Sequence, residues 1–472
     1  MEDTGMLSGK PANQKGKKLW QYISATSGSL LAMGVGTTLS WSAPVLPVLE
    51  STGSWLPLDK EQASWVGSLL AVGAICGALP AGLLGAHLGR RRALLLVGLP
   101  LLASWGLMLV ARQPLHLYIA RLVAGLGVGG TCVLLPGYLS EIAEAESRGA
   151  VCSLFQLLFA AGLVWSASLG AFLDFHRLAY GCALVELLFF ASFAALAPES
   201  PVWLVSKGRK LEATVALRRL RGEFYDVDRE LAQTQKESEE ISSKKNLIFD
   251  LVRFKAPRKA LLICLAVMMF QQLSGINAIV FYTVGIFKDA HSSVEPNTAT
   301  ILVSLVQFAM SFVATGFVDK AGRRPLLMLS CMAMSCSMIT LGLYFKLKES
   351  GSNVSQIGWL PLSSLIAFMI AFSIGAGPVP WMLMGELFTV ELKGSASSLA
   401  VMLNWFFAFL VTNTYSEMER LVKASGTFWI FAVLMALATI FVYRVVPETK
   451  GKSINEVQIE LLGHQTLKSS RS

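Results

Sequence analysis

Charge is what this sequence has least of: Asp, Glu, Lys and Arg make up 15% of its 472 residues, against 54% hydrophobic residues. A soluble globular domain carries roughly 25% charged residues, so that class is excluded. With a mean hydropathy of +0.56, the chain reads as a polytopic membrane protein. Histidine is scarce, with 5 scattered copies and no helical His-Glu-x-x-His, so an enzyme reading has nothing to attach to and no cofactor or metal is implied. All 7 cysteines lie within apolar stretches and none in an outer loop, which excludes a disulfide framework. No cleaved leader is expected either, because residues 1–22 are polar and basic and the apolar run after them is too long for a signal-peptide core.

Long apolar runs are what the chain has in abundance. Windows of about 20 residues recur at 23–47, 63–86, 93–111, 117–138, 151–173, 177–196, 258–286, 298–318, 325–345, 361–384, 395–416 and 425–446. They imply an all-α membrane protein of twelve transmembrane helices, six before a long polar stretch and six after it. The expected organisation is an N-terminal tail (1–22), a six-helix bundle (23–197), a linker of short amphipathic helices (198–257), a second bundle (258–446) and a C-terminal tail (447–472).

The net charge of +9 does not point to nucleic acid, because the basic residues sit in alternate loops. Arg90, Arg91, Arg92, Arg148, Arg323, Arg324, Lys393, Lys450 and Lys452 fall on the side of the termini, which the positive-inside rule makes cytoplasmic. Lys10, Lys15, Lys17 and Lys18 agree, whereas Lys346, Lys348, Arg420 and Lys423 fall on the other side. The single sequon, Asn353-Val354-Ser355, lies on that other side and makes Asn353 a candidate for glycosylation.

Candidate binding residues begin with Phe270-Gln271-Gln272-Leu273-Ser274-Gly275-Ile276-Asn277, continuing to Tyr282. An unpaired amide in hydrocarbon costs several kcal/mol, so these groups must face protein or a wet cavity. On a continuous helix Gln271, Ser274, Gly275 and Tyr282 share a face, with Gln272 beside it and Asn277 near its edge. A carboxamide offers donors and acceptors without charge, which suits an uncharged polyhydroxylated solute such as a sugar. Amides that merely bridge helices are the other reading of the same pattern.

This stretch resembles the QQxSGxNAxxFY signature of the sugar porter family within the major facilitator superfamily. The resemblance extends over nearly the whole chain. Gly89-Arg90-Arg91 recurs as Gly322-Arg323-Arg324, Glu141 with Arg148 as Glu386 with Lys393, and Pro198-Glu199-Ser200 as Pro447-Glu448-Thr449, at offsets of 233, 245, 245 and 249 residues. Recurrence in one order at nearly one offset means two duplicated halves around a midplane site. The resemblance implies that Gln156, Gln271, Gln272, Asn277, Gln307, Trp381 and Asn404 bind sugar. It also implies a cytoplasmic gate of Arg90, Arg91, Glu141, Arg148, Glu199, Asp319, Arg323, Arg324, Glu386, Lys393 and Glu448, with ion pairs between the halves.

Three departures and one decoy qualify the likeness. Ala86 stands where the signature has aspartate, and Val202 where the PESPR motif has arginine. Thr38 aligns to an aspartate that proton-coupled members carry, so the first span has no carboxylate and downhill transport is implied. Gly125-Leu126-Gly127-Val128-Gly129-Gly130 matches the dinucleotide fingerprint by letter but lies inside a membrane helix, where small residues serve close packing. Glu186 and Arg121 are intramembrane charges, and one expectation is that they pair.

Within the family, Met268-Met269-Phe270, Gln307 and Ser42-Ala43-Pro44 resemble class III facilitative hexose transporters and insect facilitated trehalose transporters. A facilitative carrier of a hexose or trehalose is the main reading. A proton-coupled symporter and a transporter-like sensor stay open beside it. The expected setting is a monomer in the plasma membrane rather than an endomembrane, with both termini cytoplasmic and with sugar and lipid, not nucleic acid, as partners.

Overall fold

The computed structural model describes residues 17–51, 53–144, 146–222, 225–242, 251–388, 390–452 and 454–462. The regular elements of these residues are helices, as a lipid environment requires of a chain that must pair its backbone internally. The first half comprises α1 (Leu19–Ser40) running into α2 (Ser42–Leu49), then α3 (Lys60–Leu88), α4 (Arg90–Leu109), α5 (Pro114–Ile142), α6 (Arg148–Phe172) and α7 (Phe175–Leu196). Three short helices follow: α8 (Pro201–Ser206), α9 (Lys210–Arg221) and α10 (Val227–Ser242). The second half begins with α11 (Lys255–Leu273) and α12 (Ile276–Ala290), then α13 (Pro296–Ala321) and α14 (Arg323–Glu349). It ends with α15 (Leu360–Ala371), α16 (Pro378–Glu386) and α17 (Val390–Val445), before a terminal α18 (Ile454–Leu462).

Among the described residues, eleven segments are long and apolar enough to cross a bilayer. The last of them, Gly394–Val445, has 52 residues and would span about 78 Å as one straight rod, more than twice the ~30 Å hydrocarbon core. It is broken at Lys423, whose φ of 63° is non-helical, and so supplies two crossings and brings the total to the expected twelve.

Helix caps and small residues fix the arrangement. Asp59 accepts from the Gln62 backbone N–H at 2.7 Å while the Gln62 side chain accepts from the Asp59 N–H at 3.2 Å, closing a capping box at the start of α3. The glycine run of α5 packs on α3: a Cβ at Gly125 would lie 2.2 Å from the Leu70 carbonyl, and one at Gly129 would lie 2.0 Å from that of Ala74. These glycines serve helix contact, as the sequence reading of the decoy anticipates.

The short helices are tied to the first half. Arg221 is buried, donates to the Ile142 carbonyl at 2.7 Å and pairs with Glu230 at 2.9 Å, so it satisfies a carbonyl at the C-terminal end of α5 that has no partner within the helix. Arg219 donates to the Ala195 carbonyl at 3.3 Å and stands over the Trp20 ring.

Candidate functional site

The expected continuous helix through the amide stretch is broken in the structure. Gly275 adopts φ +85°, a left-handed conformation that ends α11 and starts α12 in a new direction. A Cβ there would also lie 2.7 Å from the Phe431 ring, so glycine is required twice over. The break brings together residues that a straight helix would hold about 140° apart, five positions at 100° each. Asn277 Nδ2 donates to Gln272 Oε1 at 2.5 Å.

A second break faces the first. Residues Phe372–Ala376 form a π-helical turn between α15 and α16, closed by Gly377 N–H donating to the Phe372 carbonyl at 2.7 Å. Pro380 has no N–H to offer Ala376, four residues back, so that carbonyl is left free. Gln271 Nε2 fills the gap, donating to Ala376 O at 2.7 Å and to Gly377 O at 2.9 Å. Ser330 of α14 stitches the other side of the turn, donating to Ala371 O at 2.7 Å and accepting from Ala376 N–H at 2.9 Å.

The four amides then form one directed chain. Asn277 donates to Gln272, Gln272 Nε2 donates to Asn404 Oδ1 at 2.8 Å, Asn404 Nδ2 donates to Gln271 Oε1 at 3.0 Å, and Gln271 ends on the carbonyls of the broken helix. All four are buried, at 2% to 7% exposure. Such a relay holds each amide in one orientation, with its remaining donor and lone-pair sites available to a solute's hydroxyls.

The other expected binding residues lie around this chain. Gln307 of α13 is 3% exposed, and its amide makes no hydrogen bond among the described residues. It lines a small cavity together with Ser40, Leu163, Val280, Thr283, Thr300, Val303, Ser304 and Met369, which draws on both halves. Trp381 of α16 is half-buried and packs against the apolar cores of both halves. Gln156 of α6 is half-buried and makes no hydrogen bond among the described residues. The hydroxyls of Thr283, Thr300 and Ser304, which sequence reading did not single out, donate to their own helices and keep acceptor capacity.

The intramembrane charges are arranged differently from expectation. Arg121 is fully buried and donates to Thr38 O at 2.7 Å, Val66 O at 3.0 Å and Ser42 Oγ at 3.1 Å, with Trp41 and Phe281 rings at 5.3 and 5.8 Å. It does not pair with Glu186. The Glu186 carboxyl is buried, with no hydrogen-bond partner for either oxygen among the described residues, lying over Gly34, where a Cβ would come within 1.8 Å of it. Arg121 turns instead to two backbone carbonyls and the Ser42 hydroxyl. Thr38 donates to Gly34 O at 2.8 Å, so the position aligned to a coupling carboxylate is a helix-bonded hydroxyl.

The repeated charge motifs take the same geometry twice. Arg90 meets Glu141 with Nε at 3.1 Å and Nη2 at 2.9 Å, and Arg323 meets Glu386 with Nε at 3.1 Å and Nη2 at 2.9 Å. Glu199 accepts from the Arg91 N–H at 2.9 Å, and Glu448 accepts from the Arg323 and Arg324 N–H groups at 3.0 and 3.1 Å. Each carboxylate thus caps the helix that opens with the arginines. These ion pairs and caps join residues of one half, not one half to the other. For Glu448, burial pushes the carboxyl up, but the N–H groups of Lys450, Arg323 and Arg324 outweigh it and hold it below the usual range.

The departures are absorbed locally. The Ala86 carbonyl accepts from Trp203 Nε1 at 2.9 Å, and Val202 is 38% exposed. Arg148 is exposed, and the side chains of Asp319 and Lys393 lie outside the described residues. Asn353 is exposed, its Oδ1 accepting from the Ser355 N–H at 3.0 Å and hydroxyl at 2.7 Å.

Residues 19–461 match the family described as sugar (and other) transporter. The chain belongs to that family. The transporter is 37% identical over 454 residues to the facilitated trehalose transporter Tret1 of Polypedilum vanderplanki, covering 95% of this chain and 90% of that one. It is 37% identical to Tret1 of Aedes aegypti over 96% of its own length but spans only 56% of that longer relative. Its fold is that of the major facilitator superfamily: the proton:xylose symporter XylE superposes with a TM-score of 0.76 at 24% identity, over 93% of this chain and 99% of that one.

Proposed function

We propose that the sugar carried by this facilitative transporter is trehalose, bound between the amide chain of Gln271, Gln272, Asn277 and Asn404 and the cavity lined by Gln307. The observation that carries the reading is the pair of facing helix breaks. Gly275 and Pro380 open two backbones toward each other, and an uncharged relay fills the space between them. A site without charge grips a neutral polyol weakly enough to release it. A disaccharide suits a site with two polar regions, and the relatives at 35% to 37% identity are named as trehalose transporters. Gln156 and Trp381 complete the walls, the indole offering a flat apolar surface to a sugar's C–H face.

The termini face the cytoplasm in this reading, and Asn353 faces outward and accepts a glycan. The setting is the plasma membrane, and the working unit is the monomer. The repeated clusters around Arg90 with Glu141 and Arg323 with Glu386 gate the cytoplasmic side, together with Arg91, Arg148, Glu199, Asp319, Arg324, Lys393 and Glu448. Proton coupling is the second reading, resting on the unpartnered Glu186. The hydroxyl at Thr38 and the carbonyl-satisfied Arg121 stand against it.

Counterflow in proteoliposomes tests the substrate. Vesicles loaded with unlabelled trehalose should accumulate labelled trehalose transiently, and glucose loading should drive it less. Counterflow with glucose alone would reassign the site to a single hexose.

A further inference from the structure

On the face away from the termini, the two halves are joined by polar bonds that no sequence motif announces. Ser64 and Ser68 lie in the first nine residues of α3, and Asn413 lies on the first arm of α17, nearly 350 positions later in the chain. Ser64 Oγ donates to the backbone carbonyl of Asn413 at 2.9 Å, and Ser68 Oγ donates to its side-chain Oδ1 at 3.1 Å. Both serines are buried, at 6% and 0% exposure. Between them sits Gly67, where a Cβ would come within 3.0 Å of the Tyr282 hydroxyl. That hydroxyl donates to Thr412 O at 3.0 Å, and its ring stacks on Tyr415 at 5.0 Å with an interplanar angle of 10°. Three helices, α3, α12 and α17, thus meet on one residue pair of α17, Thr412 and Asn413.

We propose that Asn413 is a positioning residue of the transport cycle: with Ser64 and Ser68 it latches α3 to α17 and holds the sugar pathway closed on this face. The inference rests on alternating access, not on which sugar is carried. For the halves to part here, both serine bonds must break. The freed groups then meet water, so each bond biases the closed state modestly, by about fivefold, as a net hydrogen bond of about 1 kcal/mol does. Two bonds that weak hold a gate without locking it, which suits a cycle that must reopen.

Hydrogen–deuterium exchange on the full chain in nanodiscs tests the latch. In Asn413→Ala, which removes the Ser68 bond, exchange in residues 60–70 and 408–418 should speed by about fivefold. In Ser64→Ala with Ser68→Ala it should speed further, and residues near the termini-facing ends of the same helices should stay slow. No local change, or a rise spread evenly over all helices as a loosened fold would give, overturns the proposal. Counterflow run on the same preparations separates the two claims: transport with unaltered exchange rejects the latch alone, whereas absent transport in the unmodified chain rejects the carrier reading beneath it.

Discussion

Asn277 and Gln272 touch through their amides at 2.5 Å across a left-handed glycine, and the chain of four amides starts from that contact. Removing the glycine should remove the contact. In Gly275→Ala the new Cβ meets Phe431 and the backbone pays roughly 1–2 kcal/mol for a left-handed alanine. Thermal unfolding should shift down by a few degrees while sugar counterflow falls by tenfold or more. Unaltered counterflow would mean that the break does not shape the site.

Gln307 and Gln271 should separate binding from bridging. Gln271 donates to two carbonyls and accepts from Asn404, so Gln271→Leu should cost about 1–3 kcal/mol of stability as well as sugar affinity. The Gln307 amide bonds nothing among the described residues, so Gln307→Leu should leave the melting temperature within a degree or two while weakening sugar binding. Titration of intrinsic fluorescence with trehalose checks the affinity. If Gln307→Leu lost stability but kept affinity, the amide would be a strut.

Much of this was legible in the chain. Hydropathy and the recurrence of Gly-Arg-Arg, Glu…Arg/Lys and Pro-Glu-Ser/Thr marked the duplicated halves, and the structure repeats the Arg90–Glu141 geometry at Arg323–Glu386. The break before α16 is readable from residue type alone, because Pro378 and Pro380 each lack the N–H that a regular helix needs. The break at Gly275 was not foretold, since a lone glycine inside an apolar run is compatible with an unbroken helix, and only Phe431 from a distant helix makes it obligatory. The fate of Arg121 was hidden for a related reason: its partners are the backbone carbonyls of Thr38 and Val66, which carry no sequence signature.

The cap at Glu448 should make stability pH-dependent. Its carboxyl lies below the usual range in the folded chain, so its stabilisation is fully present above the unfolded value and is lost as pH falls through the folded one. Glu448→Gln should therefore melt lower than the unmodified protein at pH 7, and the gap should narrow as pH drops below about 4.5. A gap independent of pH would show that shape, not charge, carries the cap.

Downhill transport through an uncharged site fixes the steady-state ratio of internal to external trehalose in proteoliposomes, and that ratio can be measured under an imposed proton gradient. With Thr38 in place of a carboxylate and Arg121 held by carbonyls and the Ser42 hydroxyl, the ratio should settle at one whatever the gradient, in the unmodified protein and in Glu186→Gln alike. A ratio above one when the outside is acidified, abolished by Glu186→Gln, would contradict the account and make the buried carboxyl a coupling group.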